Sequence, residues 1–366
     1  MDRRLFLNSI MVSSFGALLP TLPYFNRSTL ATTQPQLPPA TNPRPVSDKG
    51  TTNWTGPKIG IVSVGGVGLI CLPRRFNPDV KFPNFVRTIA IDSCGTDLNF
   101  MTADRKVKLS SVDTTFDPHD RLTLSQSILP EITDAVTGLD MVMLVSGMGG
   151  TVGSTATPIV ASHLKKLSVL TLAIVLMPYP EEGVQRQKTA TAGLQTLRGE
   201  VNALLPVFNN EFDDFDPNWH WWNAYLLPQY IDALYGNIVT PLCVPGWVNV
   251  EFSDVRDITL NQTGVCAFGH GLSCGENAAQ QAVDNAIEQT PLGKSRLQQA
   301  RSAMVTFEHG RDVLQSDIAL AIQSIRAHLS PDCHFIYGIS GFDDYSDMVK
   351  VNFLANGIRK VDPRLV

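Results

Sequence analysis

Hydrophobic positions in this chain fall into two textures. From Lys58 to Pro178 they form short, nearly continuous runs: KIGIVSVGG from Lys58, FVRTIAID over Phe85–Asp92, DMVMLVSG over Asp140–Gly147 and SVLTLAIVLMP over Ser168–Pro178. A run of this length that ends in glycine or proline reads as a strand buried on both faces. Such strands, separated by helical stretches, predict a parallel sheet. Helical spacing predicts one helix from about Thr155 to Lys166. It predicts a longer one from Glu182 to Leu205, with Leu194, Leu197, Val201 and Leu204 on one face.

The second texture begins after Asp254. TGVCAFGHG, RSAMVTFEH, CHFIYGIS and DMVKVNFLA are more amphipathic strands. Helices are expected between them at about 275–289 and 313–329, the latter presenting Leu314, Ile318, Ile322, Ile325 and Leu329 on one face. This reads as a second, α+β domain. Between the two textures, Glu211–Asn223 (EFDDFDPNWHWWN) is acidic and aromatic without periodicity, so it reads as a loop with a local aromatic cluster; a helix follows to about Val239.

The N-terminus belongs to neither texture. Arg3, Arg4, Phe6 and Leu7 precede a mildly apolar run, the order of a secretory signal and similar to a twin-arginine export signal. A membrane-surface anchor and a start placed too far upstream, with a cytoplasmic protein, are the competing readings. Residues 32–57 carry six prolines and almost no large apolar side chains, so they read as a linker. The net charge of −5 and the lack of any Lys/Arg stripe argue against a nucleic-acid partner. The six cysteines form no CxxC pair, so neither a metal knuckle nor a redox dithiol is indicated.

Three segments could carry chemistry. GMGGTVGSTATP (Gly147–Pro158) lies between a buried strand and a helix. Glycines there let the backbone approach a ligand, and free N–H groups at the helix start favour a phosphate. The same segment also reads as an ordinary strand-to-helix turn. NVEFSD (Asn249–Asp254) sets two carboxylates three residues apart beside an amide. That set could orient a water for attack on a phosphoryl group, or it could be the acidic first turn of a helix. Glu182 and Arg186 stand at i, i+4 spacing, which by itself reads as a surface ion pair.

In this order, the segments resemble the FtsZ branch of the tubulin superfamily, over roughly residues 58–358. The glycine loop is similar to that family's phosphate loop, usually written GGGTGTG. EEGVQR (Glu181–Arg186) resembles FEGxxR, whose Glu and Arg contact the nucleotide sugar and base. PGWVNVEFSD (Pro245–Asp254) resembles the PGxxNxDFAD synergy loop, whose Asn and two acids reach into the next subunit's GTP site. GVCAFGHGLSCGENAAQQAVDNAI and VKVNFLANGI are similar to the family's glycine-rich strand with its following helix, and to its closing strand.

The resemblance implies an α/β fold: a Rossmann-like tubulin/FtsZ GTPase domain (58–222) joined by a central helix (223–244) to a smaller α+β domain (245–366), behind an N-terminal segment (1–31) and linker (32–57). It implies GTP or GDP, with Mg2+, on Gly65, Gly66, Gly68, Gly147, Gly149, Gly150, Thr151, Gly153, Ser154, Glu182, Arg186, Asn209 and Gln229. It implies Asn249, Glu251 and Asp254 as the catalytic set, and a second copy of the chain, stacked head to tail, as the partner. The N-terminal segment would tether such filaments to a membrane.

The departures define a rival. Thr151, Val152 and Thr155 stand where the family has Gly, Thr and Gly. A β-branched threonine resists positive φ, so Thr151 and Thr155 are expected to disturb the phosphate cradle. Ile70 replaces a usual Asn, Lys108–Arg121 lacks the family's glycines, Gln229 and Tyr225 replace a base-reading Asp and a stacking Phe, and Glu251 is one methylene longer than the usual Asp. The rival is a non-catalytic, nucleotide-independent scaffold on the same fold. An unrelated α/β enzyme has no GxSxG, HExxH or Walker motif to support it.

Overall fold

The computed structural model describes residues 56–72, 85–109, 129–208, 223–243, 246–260, 264–288, 290 and 294–359. The N-terminal segment, nearly all of the linker, Asn209, Glu211–Trp222 and most of Lys108–Arg121 lie outside the described residues.

Six strands form one fully parallel sheet: β1 (Ile59–Val64), β2 (Val86–Asp92), β3 (Arg105–Lys108), β4 (Met141–Gly147), β5 (Leu170–Met177) and β6 (Ala203–Phe208). Their spatial order is β3-β2-β1-β4-β5-β6. Every residue of β1, β5 and β6 is buried, as is β4 up to Gly147, which explains their unbroken apolar sequences. The helices between them are α1 (Gly65–Ile70), α2 (Gly95–Phe100), α3 (129–136), α4 (Thr151–Lys166) and α5 (Val184–Arg198). The strand order reverses between β1 and β4. In such a sheet the crevice for a ligand opens at that switch, outside the carboxyl ends of the strands.

The expected helix over Glu182–Leu205 is divided. Its helical part is α5, which ends at Gly199, and Leu204 belongs to β6. Leu194 and Leu197 do line the buried face of α5. Val201 and Leu204 continue that spacing by coincidence, because a fully buried strand has no period of its own to contradict it. Pro206 is the residue that argues against a helix there. It cannot donate to a ladder on both sides, and it sits on β6, the edge strand. Helix α4 likewise begins at Thr151, four residues before its expected start.

A long helix, α6 (Asn223–Cys243), packs against the second sheet. A short helix, α7 (Phe252–Thr259), follows. The second sheet contains β7 (Val265–Ser273), β8 (Ser302–His309), β9 (His334–Gly341) and β10 (Val349–Ile358), in the order β7-β10-β8-β9. β10 is antiparallel to β7 and β8, and β9 is parallel to β8. Helices α8 (Ala278–Glu288) and α9 (Gln315–Ala327) pack on each other, and α8 also lies against β7 and β10. The whole is a Rossmann-like α/β unit joined by a long helix to a smaller α+β unit.

A polar row crosses the second sheet. His270, Asn352 and Thr306 are in register on β7, β10 and β8. His270 Nδ1 and Asn352 Oδ1 are 2.6 Å apart, Asn352 donates to the Thr306 hydroxyl at 3.4 Å, and Thr306 donates to Asn237 of α6 at 2.8 Å. The row therefore ties the long helix to the sheet by directional bonds, not by apolar packing alone. Beside it, Lys350 pairs with Glu308 at 2.8 Å, and Tyr345 donates to the same carboxylate.

Burial pushes His270 down to about 4, helped by the Lys350 charge and opposed by the Asn352 bond and Glu308. The unfolded chain, with a histidine near 6.5, then binds more protons than the folded one between pH 6.5 and 4. Its contribution to stability is complete above pH 6.5 and is lost as pH falls through 4. Urea unfolding at stepped pH should show wild type losing on the order of 2–3 kcal/mol more than His270→Gln across that window.

Candidate functional site

Two glycine turns meet at the switch between β1 and β4. β1 and β4 are hydrogen-bonded neighbours, with Val64 opposite Ser146. Their carboxyl ends therefore deliver Gly65 and Gly147 to the same place, although 82 residues separate Val64 from Ser146. The Ser146 hydroxyl donates to the Val64 carbonyl, tying the two ends together. Gly65 has φ +74, and a side chain there would stand 3.4 Å from the Gly153 nitrogen. Gly68 lets α1 lie on β4, since a Cβ would come 2.6 Å from the Val145 carbonyl. Gly66 is half-buried in α1.

The loop from Gly147 to Gly153 is shaped for close approach. Gly149 has φ +90 and packs beside the Arg186 backbone. A methyl on Gly153 would overlap the Gly147 carbonyl oxygen, so only glycine lets α4 start so near the strand end. Gly150 is the N-cap of α4, with no side-chain cap and open space around its α-carbon. The first-turn N–H groups of a helix have no intrahelical acceptor. Here they lie at the positive end of a 16-residue helix whose N-cap, Gly150, has no atom of the described residues within 4 Å of where a Cβ would stand, an arrangement suited to a phosphate.

The expected damage by threonine does not occur in the backbone. Thr151 and Thr155 are both helical, and neither has positive φ. Thr155 is buried in the second turn of α4. Val152 packs toward Gly65 and is partly buried against the core. Ser154 is fully buried, and its hydroxyl accepts the Gly149 N–H at 2.8 Å, so it holds the loop's shape from inside.

Glu182 and Arg186 stand next to this loop. Arg186 Nη1 meets Glu182 Oε2 at 2.8 Å, while Glu182 Oε1 accepts the Tyr179 N–H at 3.1 Å. The pair is not on one continuous helix: Glu182 ends a 3-10 turn, and Gly183, at φ +99, leads into α5. Gln187 donates to the carbonyls of Pro178 and Tyr179, fixing the first turn of α5 to the end of β5. Gln229 falls on α6, with its side chain outside the description.

One group at this edge was not singled out from sequence. Asp92 ends β2 and is almost wholly buried, with its carboxylate accepting the Cys94 N–H at 2.8 Å. Burial raises its pKa and the charge of Asp97 adds to that, while the Cys94 bond opposes. The only signal in the sequence is an acid directly after the apolar Ile89–Ile91 run; that this strand end lies at the ligand edge follows from the sheet order.

The acidic loop is built elsewhere. Val248 forms an antiparallel bridge with Ile339 on the edge strand β9. Gly246 and Gly338 allow the close approach that this requires. Asn249 Oδ1 accepts the Gly246 N–H at 2.8 Å. Glu251 and Asp254 form a reciprocal capping box at the start of α7, in which Asp254 Oδ2 accepts the Glu251 N–H at 2.7 Å. Each acid keeps a second carboxylate oxygen beyond the cap.

These acids sit at the opposite end of the parallel sheet from the glycine turns. Phe252, Arg256 and Leu260 line a cleft of ≈ 470 Å³ together with Asp140, Leu170 and Asn202, which lie where β4, β5 and β6 begin. The glycine turns lie where β1 and β4 finish. The seven residues of β4 span roughly 20 Å at ~3.3 Å per residue. One copy of the chain therefore cannot bring its acids to its own glycine loop.

Residues 58–215 match the profile of the Tubulin/FtsZ family GTPase domain, and residues 264–359 match that of the FtsZ family C-terminal domain. The chain is similar to "Cell division protein FtsZ 1" of Thermococcus kodakarensis, at 28% identity over 82% of this chain and 81% of that one. It is similar to "Cell division protein FtsZ" of Caulobacter vibrioides at 26% identity over 85% of this chain, which spans only 63% of that relative. Among solved structures, "FtsZ dimer, empty" from M. jannaschii aligns with a TM-score of 0.74 at 25% identity, over 83% of this chain and 89% of that one. CetZ2 from Haloferax volcanii, described as a GTPgS-bound protofilament, shares the fold with a TM-score of 0.68 at 18% identity, over 83% of this chain and 94% of that one.

Gly153→Ala should lower stability by about 2–3 kcal/mol, because the methyl forces α4 off the strand end. Gly150→Ala, with open space around it, should stay within about 1 kcal/mol of wild type. Urea unfolding of the two variants beside wild type measures the contrast.

Proposed function

Given that the chain belongs to the tubulin/FtsZ family, we propose that it binds GTP at the β1/β4 switch and assembles head to tail, with hydrolysis at the contact between copies. The observation that carries this reading is the separation of the two half-sites: a helix start without a side-chain cap, at the unhindered Gly150, at one end of the sheet, and a fixed acid pair at the other.

In this reading the N–H groups at the start of α4 hold phosphate oxygens, and Gly65, Gly149 and Gly153 keep the backbone close enough to do so. Glu182 and Arg186 flank the loop and hold the sugar and base. Asn249, Glu251 and Asp254 of the neighbouring copy orient the attacking water. A bound nucleotide supplies the γ-phosphoryl group, whose transfer depends on positioning and charge stabilisation. Among the described residues no group of three His, Cys, Asp or Glu is placed to hold a metal. Magnesium would accordingly arrive with the nucleotide, held largely by its phosphates.

The N-terminal segment enters the reading as a tether to a membrane or as an export signal. No helix among the described residues is long and apolar enough to cross a membrane. The nucleotide-independent scaffold keeps a specific observation of its own: the capping box gives Glu251 and Asp254 a structural use without chemistry.

Calorimetry of the full chain with GTP and magnesium, with phosphate release followed across protein concentration, separates the two. Binding, with release rising more steeply than the first power of concentration, supports the GTPase. No binding at millimolar GTP leaves the scaffold. Asp254→Asn retains a cap acceptor but removes the charge. It should leave Tm within a few degrees and cut release about 10²-fold, a loss of the size produced by ~1 Å misplacement of a reacting group.

A further inference from the structure

We propose that Trp247 is the apolar anchor of the contact between copies, and that it docks on the Gly183–Arg186 turn of the next copy, centred on Val184. The inference rests on the head-to-tail reading above and names the surfaces that meet.

Trp247 is 56% exposed although it belongs to a tightly held loop. The bridge between Val248 and Ile339 fixes the backbone behind it, and its ring sits edge-on against the buried His309 ring, with centroids 4.5 Å apart at 61°. The indole is therefore presented outward by a rigid support. A tryptophan held this way loses little freedom on binding, and tryptophan is enriched among the residues that dominate interface energetics.

Its position in the chain dictates where it must land. Trp247 precedes Asn249 by two residues, and two residues of extended chain reach at most about 7 Å. If Asn249 and Glu251 approach the glycine loop of a neighbour, Trp247 must fall on whatever surface borders that loop. One such border is the first turn of α5, because the Arg186 backbone lies against Gly149. The first residue of that turn, Val184, is 71% exposed. Of the large apolar side chains that are exposed among the described residues, Val184 is the one within a helical turn of the glycine loop's contact, and Trp247 is the one in the acidic loop. Each is unusual where it stands, and a head-to-tail stack buries both together.

The test uses the full chain in a Cys274→Ser background, since Cys274 is an exposed thiol. Trp247→Cys and Val184→Cys chains are prepared separately, then mixed under assembly conditions with a short bismaleimide. The expected result is a crosslinked dimer in the mixture well above that formed by either variant alone. Independently, Trp247→Ala and Val184→Asp should each raise the critical concentration for sedimentation by about 10–30-fold, the range of an interface anchor. GTP binding by calorimetry should stay unchanged. Val184→Asp decides the matter if Trp247→Ala fails to fold, because its side chain lies at the surface. Equal sedimentation of wild type and folded variants, or no excess crosslink in the mixture, overturns the anchor while the head-to-tail reading stands. A wild-type chain that does not associate with nucleotide at any concentration overturns both.

Discussion

A strand buried on both faces can satisfy its backbone only through its two neighbours, and its side chains only through helices above and below. β1, β4 and β5 are in that position, with interior residues at essentially every site. Connections long enough to hold a covering helix return each strand in the same direction, so the sheet is parallel throughout. Parallel strands put all their carboxyl ends at one edge and all their beginnings at the other. The polarity of the whole molecule follows from this. The glycine turns that finish β1 and β4 share one edge, and the acidic loop, packed near the beginnings of β4 and β5, belongs to the other.

Each edge is then fixed by local geometry of a different kind. At the glycine edge the requirement is the absence of side chains. Gly153 must approach the Gly147 carbonyl, and Gly149 must take positive φ beside α5. Ser154 spends its hydroxyl on Gly149 from within. At the other edge the requirement is anchorage. Val248 borrows the open side of β9, Asn249 closes its own turn, and the two acids cap α7 against each other. Capping leaves these acids chemically usable, because a carboxylate that gives one oxygen to a backbone N–H is held in a defined orientation with the other oxygen still available.

The two halves are joined by α6, and its junction with the second sheet is partly polar. The row from His270 through Asn352 and Thr306 to Asn237 makes the helix position on the sheet directional. Apolar packing tolerates small slides, whereas a chain of hydrogen bonds has one register, and a slip would leave buried polar groups unpaired. The distance between the glycine edge and the acidic loop thus depends on a few bonded atoms.

Much of this was written in the sequence. The four apolar runs before Pro178 are short and mostly closed by glycine or proline, so they read as buried strands, the amphipathic runs after Asp254 belong to the second sheet, and the order of glycine loop, acid–arginine pair and acidic loop pointed to the family. Sequence alone could not divide 182–205 into α5 and β6, since a fully buried strand imposes no period that distinguishes it from a buried helix. It could not say that Thr151 and Thr155 are harmless to the backbone, because φ at those positions depends on where α4 begins, and that is set by contact between Gly153 and Gly147. Nor could it show Asp92 at the ligand edge, or Ser154 facing inward. Residue types and local spacing are properties of the chain, and they determined elements and motifs. Which strands are neighbours, which ends coincide and which side chains face the solvent depend on contacts between residues far apart in sequence, and only the packed structure decides those.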